Sequence, residues 1–349
     1  MGALYITSTE HAGKTTFVAA IGRKLIQRGA KVGFMIPVYV VESSDGDGCP
    51  DAAFVKNVFK LTESDETMCA VRLSKDELSR RLTTNSDKLS QSVKSAYQKI
   101  SRGKDIVIME GLGNISDKVS TSACYVIANA VGAGVIVVLN YPVNSDLSHV
   151  VQMSKKVKLI GVIANLVPKS KVEKVKQQIS DSFSKANIKL LAVVPEVRGL
   201  LGVTVAELAQ ALGGEILSSR EKADEIVENV MVGAMTVDSG LTYFGRKENK
   251  AVVVRGERSD MQLAALQTPT RCLIITNNAK PLPTIMLQAQ EKQVPIVSVR
   301  LDTNATVDGI EKALAEASIR NPRKLEMFER VLDSCFDFEA FYSQLGLKV

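Results

Sequence analysis

The nine residues Ser8-Thr9-Glu10-His11-Ala12-Gly13-Lys14-Thr15-Thr16 follow the apolar run Ala3-Leu4-Tyr5-Ile6 and have the types and spacing of a phosphate-binding loop. A strand that ends in a short loop and opens into a helix points successive backbone N–H groups, and the helix N-terminus, at one spot where an anion is stabilised. In that arrangement Lys14 reaches the β- and γ-phosphates of a nucleotide and Thr15 offers its hydroxyl to Mg2+. Glu10, Ala12, Gly13, Lys14, Thr15 and Thr16 are therefore the candidate phosphate contacts. The full pattern G-x-x-x-x-G-K-[ST] asks for Gly at position 8, where this chain has Ser8; its tail, Ala12 to Thr16, is intact. His11 is read as an outward-pointing loop residue without a mechanistic partner.

Phosphate-bound Mg2+ also needs a rigidly held carboxylate at the end of a neighbouring strand. Asp105-Ile106-Val107-Ile108-Met109-Glu110-Gly111 supplies Glu110 where such a strand leaves the sheet, with Gly111 and Gly113 letting the backbone pass close to the phosphates. The loop from Pro37 to Asp51 lies at the same sheet edge and carries Asp45, Asp47 and Asp51, of which Asp51 is a candidate to assist the metal. A calcium loop is excluded, because Pro50 stands where Gly is needed and Lys56 where the bidentate Glu belongs. The two histidines, His11 and His149, assemble no Ser/His/Asp or Cys/His constellation.

The elements that must hold these residues are legible as short β-branched runs alternating with amphipathic stretches, the pattern of a parallel sheet. Strands are expected at Ala3 to Ile6, Val32 to Ile36, Ile106 to Met109, Val135 to Leu139, Ile160 to Ala164 and Leu190 to Val194. The first helix is expected from Lys14 to Arg28, with Phe17, Ile21 and Leu25 on one face and Gly29 ending it. After Pro195-Glu196 a second series begins, with a helix near Val205 to Leu212 and strands at Val252 to Val254, Leu273 to Thr276 and Ile296 to Val299. From Asn321 onward the chain is helical by pattern, with Leu325, Phe328, Val331 and Leu332 on one face, as a cap for a domain or an oligomer.

The chain has 349 residues, room for two domains with their own cores. With no Trp and 5% aromatic residues it lacks a base-stacking surface, and a net charge of +6 with dispersed Lys and Arg marks no nucleic-acid platform. Five cysteines, far apart and without a C-x-x-C pair, indicate neither a zinc site nor a disulfide framework, and reduced thiols are expected. No apolar run approaches the ~18 residues of a membrane span. The expected location is the cytoplasm, since the N-terminus enters a strand without room for a leader.

Residues 1–200 resemble the dethiobiotin synthetase-like P-loop domain, in the version found at the N-terminus of long bacterial phosphotransacetylases and near cobyrinate amidating enzymes. The matching pieces are Thr7 through Thr16, Ile36-Pro37-Val38, Met109-Glu110-Gly111, Gly161-Val162-Ile163-Ala164-Asn165 and Val194-Pro195-Glu196. The resemblance implies that Asn165 hydrogen-bonds a purine base and that Pro195 borders it. Residues 205–318 are similar to the DRTGG domain that follows in those proteins, through Val232-Gly233-Ala234-Met235, Gly256-Glu257-Arg258-Ser259-Asp260, Ala264-Ala265-Leu266, Ile275-Thr276-Asn277-Asn278 and Val294-Pro295-Ile296. Residues 319–349 form a helical tail. The implied fold class is α/β: a doubly wound parallel-sheet P-loop NTPase-like domain followed by a smaller α/β DRTGG-type domain.

Two departures bear on activity. Dethiobiotin synthetases place a substrate-binding Lys before the Pro of the second strand, and this chain has Ile36 there. The name-giving signature of the second domain reads Glu257-Arg258 and Thr276-Asn277-Asn278; Asn tolerates left-handed backbone, but a bare-backbone anion nest is not expected. The resemblance also places the chain's end where an acetyltransferase domain begins, so acetyl transfer is not expected of it alone. The leading expectation is a regulatory or sensory protein that binds ATP with Mg2+, with GTP left open, and forms a homo-oligomer. An ATP-dependent ligase or amidating enzyme is the alternative, with Lys118 or Arg198 as its substrate anchor. A non-catalytic partner of an acetyl-phosphate-pathway enzyme is the third.

Overall fold

In the computed structural model, residues 2–8, 13–41, 49–112, 118–143, 147–184, 186–315 and 320–346 are described. The chain divides into two compact units, one formed by Met1–Glu196 together with Lys324–Val349, the other by Val197–Arg323.

The first unit is built on a six-stranded sheet of β1 (Gly2–Ser8), β2 (Val32–Met35), β3 (Ile106–Glu110), β4 (Gly134–Asn140), β5 (Lys158–Val167) and β6 (Leu190–Pro195), in the order β2-β3-β1-β4-β5-β6. Every pairing is parallel. That is why the strands read as unbroken apolar runs: helices cover both faces and leave no side for water. On one face Tyr5, Val107, Met109, Val135, Val137 and Val162 pack with Leu89, Val93, Cys124, Ile127 and Phe183. The residues of opposite parity, Leu4, Ile6, Phe34 and Ile108, are as fully buried.

The helices of this unit include α1 (Lys14–Gln27), α2 (Pro50–Phe59), α3 (Lys75–Thr84), α4 (Ser86–Ile100), α5 (Lys118–Val131), α6 (Ser148–Ser154) and α7 (Val172–Ser184). The chain leaves β1 toward one edge of the sheet and builds from β4 toward the other. The winding therefore reverses beside β1, and ligands of open α/β sheets bind at the carboxyl ends of strands at such a reversal. α1 closes with Gly29 at φ +90°, its N–H donating to the carbonyl of Ile26 at 2.9 Å, the left-handed stop expected there.

The second unit carries α8 (Val205–Ala211), β7 (Glu215–Ile216), β8 (Asn229–Val232), α9 (Val237–Phe244), β9 (Lys250–Arg255), α10 (Ser259–Leu266), β10 (Thr270–Thr276), α11 (Pro283–Glu291), β11 (Ile296–Ser298) and α12 (Thr303–Ala315). Its sheet runs β7-β11-β10-β9-β8, parallel except for β7. Val252, Val254, Leu273 and Ile275 pack with residues of α9, α10 and α11, whereas Ala251, Val253, Cys272 and Ile274 pack with residues of α8 and α12. The segment from Lys324 returns to the first unit through α13 (Pro322–Cys335) and α14 (Phe338–Leu345).

Candidate functional site

The helix that follows β1 begins at Lys14 because Gly13, at φ 76° and ψ 32°, turns the chain through left-handed backbone that costs a side-chain-bearing residue. The N–H groups of Thr16 and Phe17 close onto the Gly13 carbonyl at 3.0 and 3.3 Å. Gly13 brings no side-chain cap, and the first turn contains no acidic residue. The positive end of this fourteen-residue helix thus has neither capping oxygen nor carboxylate from its own first turn, the condition under which an external anion is attracted.

Glu110 ends β3 in register with Ile6 of β1, so its side chain emerges beside the loop. The Thr15 hydroxyl donates to Glu110 Oε1 at 2.8 Å. Glu110 is 5% exposed, and its other oxygen, Oε2, is buried without a hydrogen-bond partner. Burial raises its pKa to about 8; the negative charge of Asp51 adds to the rise, while Lys14 and the Thr15 hydrogen bond oppose it. A buried carboxylate with an orphaned oxygen, raised proton affinity, a hydroxyl at 2.8 Å and a lysine nearby is a site short of one positive charge.

Mg2+ fits that deficit. Among the described residues no group of three or more His, Cys, Asp or Glu could cage a metal. Mg2+ typically takes only one or two carboxylates and completes its shell with waters and substrate phosphates. Thr15 and Glu110 would hold it, with Asp51 beside them. Asp51 is the second residue of α2, after Cys49 at the N-cap and Pro50. The metal would supply charge neutralisation between phosphate oxygens and this carboxylate.

Asn165 is buried on β5, and its Nδ2 lies 3.5 Å from where a Cβ on Gly13 would stand. A β-bulge puts it there. Ala164 pairs with Val193 and Val167 with Pro195, so two residues oppose one, and Leu166 between them sits at φ +58°. Left-handed backbone at a Leu is sparsely populated and persists only where its surroundings impose it. Pro195 ends β6 at the same carboxyl edge, half-buried, and the next N–H, of Glu196, donates to the Val167 carbonyl at 2.8 Å.

Of the expected nucleotide contacts, Gly13, Lys14, Thr15 and Thr16 stand together at the start of α1, and Asn165 beside them. Glu10, Ala12, His11, Asp45, Asp47 and Gly113 lie outside the described residues. Gly111 has a different physical reason from the one its motif suggests, because a Cβ there would fall 2.5 Å from Tyr5 Cζ. It is small to admit the Tyr5 ring. Lys118 is exposed at the start of α5, and the Arg198 side chain is outside the described set. Ile36 is buried at 6%, held by backbone bonds from its N–H to the Met68 carbonyl and from the Ala70 N–H to its own.

Residues 2–204 match the AAA domain family, and residues 207–313 the DRTGG domain family. The chain belongs to the AAA domain family. Its AAA domain is of the dethiobiotin synthetase-like P-loop kind, and with the DRTGG domain it corresponds to the N-terminal region of phosphate acetyltransferases. The phosphate acetyltransferase of Nitratidesulfovibrio vulgaris is 24% identical over 95% of this chain and 50% of its own length. The chain spans about half the length of such relatives. The ATP-dependent dethiobiotin synthetase of Methanococcus vannielii is 24% identical over 55% of this chain and 92% of its own. The CBS and DRTGG domains of the regulatory region of Clostridium perfringens pyrophosphatase, solved with diadenosine tetraphosphate, align at 18% identity over 44% of this chain and 74% of that one, with a TM-score of 0.29. So loose a likeness carries no argument about ligands.

In the DRTGG domain the signature residues are engaged in building the fold. The Arg258 guanidinium donates to the Asp260 carboxylate at 2.8 Å and to the Met235 carbonyl at 2.9 Å. Asn277 and Asn278 both adopt left-handed backbone, at φ 63° and 53°, as their type permits. Their N–H groups donate to the carbonyls of Leu301 and Val299 at 3.0 and 2.8 Å. Those amides are spent within the fold, so this turn is no anion nest.

Residue types alone did not disclose two features beside the site, the left-handed Leu166 and Cys49 at the start of α2, and for Gly111 they gave a reason other than the Tyr5 ring. The Cys49 thiol first, and burial second, push Cys69 above its ordinary thiol range, while Cys49 is held below that range chiefly by Cys69.

Proposed function

We propose that this chain is a regulatory or sensory protein that binds a purine nucleotide with Mg2+, ATP first and GTP as the competing choice. Lys14 and the start of α1 take the phosphates, Thr15 and Glu110 take the metal with Asp51 assisting, Thr16 lies against the α-phosphate, and Asn165 with Pro195 contacts the base. The observation that carries the reading is the Thr15–Glu110 pair with its orphaned, buried Oε2 beside Lys14. Ile36 supports a binding role over a ligase role, since a buried aliphatic side chain cannot anchor a carboxylate or carbamate. The DRTGG domain serves oligomerisation or a second ligand, and the location is the cytoplasm. An acetyl-phosphate-pathway enzyme is the partner this reading names.

The test is calorimetric titration of the full chain with ATP and GTP, with and without Mg2+, alongside Lys14→Ala and Glu110→Gln. A lost charge-assisted contact is worth ~1.5–3 kcal/mol, so Lys14→Ala weakens binding about 10- to 100-fold. Glu110→Gln removes the Mg2+ dependence and spares most of the metal-free affinity. Unchanged Mg2+–ATP binding in Lys14→Ala overturns the assignment. Phosphate release stimulated by a carboxylate or diamine substrate would favour the ligase instead.

A further inference from the structure

Asn140 ends β4 directly beside Asn165 of β5: the two residues pair across the parallel ladder, and the Tyr141 N–H donates to the Asn165 carbonyl at 3.1 Å. Their chain neighbours Leu139 and Ala164 belong to the core on one face of the sheet, so Asn140 and Asn165 both turn to the other. Neighbouring strands run about 4.8 Å apart, which sets the two side-chain amides next to each other. Asn165 is buried and Asn140 half-buried. β1 ends at Ser8, in register with Val138, so Asn140 lies two residues past the point where the chain leaves the sheet for the phosphate loop. It therefore stands in the crevice where the winding reverses, on the same edge as Gly13, whose added Cβ would lie 3.5 Å from Asn165 Nδ2.

We propose that Asn140 is a second base-contact residue, which with Asn165 brackets the exocyclic amine of adenine and selects ATP over GTP. The proposal rests on the nucleotide reading above and adds to it the residue that tells the two purines apart.

The argument is one of matching donors to acceptors. A side-chain amide has an oxygen that accepts and an NH2 that donates. The outer edge of adenine presents the acceptor N7, then the two hydrogens of its amine, then the acceptor N1. Two amides side by side, with their oxygens toward the amine and their NH2 groups toward N7 and N1, satisfy every one of these. Guanine presents N7 and O6, both acceptors, before its N1–H donor. Whichever way an amide on the N7 side is turned, its oxygen then meets an acceptor, and a desolvated acceptor left unpaired is costly.

A single Asn does not make this distinction. It can take N7 and the amine of adenine, or O6 and the N1–H of guanine, with the same two atoms. Only when both flanks of the exocyclic group are gripped does guanine lose. The β4–β5 ladder supplies the second grip, because register fixes the separation of the two amides whatever the loops around them do.

The experiment titrates the full chain calorimetrically, with Mg2+ throughout, using ATP, GTP, purine riboside triphosphate, which is ATP without its amine, and inorganic tripolyphosphate. The wild type is expected to bind ATP about tenfold more tightly than GTP or purine riboside triphosphate. Asn140→Ala loses about tenfold for ATP, little for purine riboside triphosphate, and nothing for tripolyphosphate, which has no base. Asn140→Ser, polar and smaller, is the second variant should Asn140→Ala fold poorly. An Asn140 that merely steadies the strand end would weaken all four ligands alike in both variants, and that pattern overturns the proposal. So does a wild type that binds GTP as tightly as ATP. A wild type that binds no nucleotide brings down the reading of the site and the proposal together, whereas intact ATP binding with its preference unaltered in Asn140→Ala removes only the role of Asn140.

Discussion

Glu110 concentrates the chemistry of the first unit in one side chain. With a folded pKa of about 8 against an ordinary 4.5, it holds a proton in the folded protein that the unfolded chain has already released between those values. The folded state then binds more protons than the unfolded one, so stability from this group is complete below pH 4.5 and is lost as pH rises through 8. Burial sets that window first; Asp51 and Cys49 add to the rise, and Lys14 and the Thr15 hydrogen bond oppose it. Metal needs the ionised carboxylate, so Mg2+–nucleotide binding at neutral pH releases a proton, and affinity climbs toward pH 8. Calorimetry in buffers of different ionisation heat measures that proton directly. Glu110→Gln abolishes both the release and the pH slope; a slope that survives the substitution assigns it to another group.

The elements that place Glu110 and Lys14 are α1, α2 and the strands beneath them, and α1 and α2 pack tightly at Gly22. A Cβ on Gly22 would stand 2.0 Å from Cζ of Phe59, the last residue of α2. Phe59 is itself held edge-on against Phe34 of β2, at 6.4 Å between ring centroids, so the ring cannot simply step aside. Gly22→Ala gains about 1 kcal/mol of helix propensity and incurs ~1–3 kcal/mol of overpacking. The expected outcome is a net loss of about 1 kcal/mol in urea unfolding and weaker Mg2+-dependent nucleotide binding, because α2 carries Asp51 at its other end. Stability at or above that of the wild type would show that α2 yields without cost. The same contacts mark what a sequence could disclose. Strands β1 to β6 were legible because burial on both faces demands continuous apolar runs, and the meeting of Lys14, Thr15 and Glu110 because a strand–loop–helix turn faces the end of the neighbouring parallel strand. Leu166 was not legible, since an apolar run gives no sign of a left-handed bulge. Nor was β8, whose four residues are too few for a period.

At the scale of the chain, the family matches end at residue 313, yet the structure does not. From Lys324 the chain belongs to the first unit, and its helices α13 and α14 lie on α1, the helix that opens at Lys14. Phe328 meets Phe17 edge-on, with centroids 5.0 Å apart, two residues beyond Thr15. Around it, Arg23 pairs with Glu329 at 3.2 Å, Lys24 with Asp333 at 2.6 Å, and Arg28 with Glu339, with the Arg28 guanidinium 4.9 Å from the Tyr342 ring centroid. The exposed pairs each contribute ~0–1 kcal/mol, so they set register more than stability. The rings supply the stability: both are buried, and truncating a buried Phe typically costs ~3–5 kcal/mol. Phe328→Ala therefore lowers the thermal midpoint of the first unit by several degrees, read by calorimetry, with the second unit's transition in place. Because α1 also carries Lys14, the proposed nucleotide reading predicts that saturating Mg2+–ATP recovers part of that loss through mass action in Phe328→Ala, and none in the double variant with Lys14→Ala. A midpoint unmoved by Phe328→Ala would mean that the tail rests on α1 without holding it.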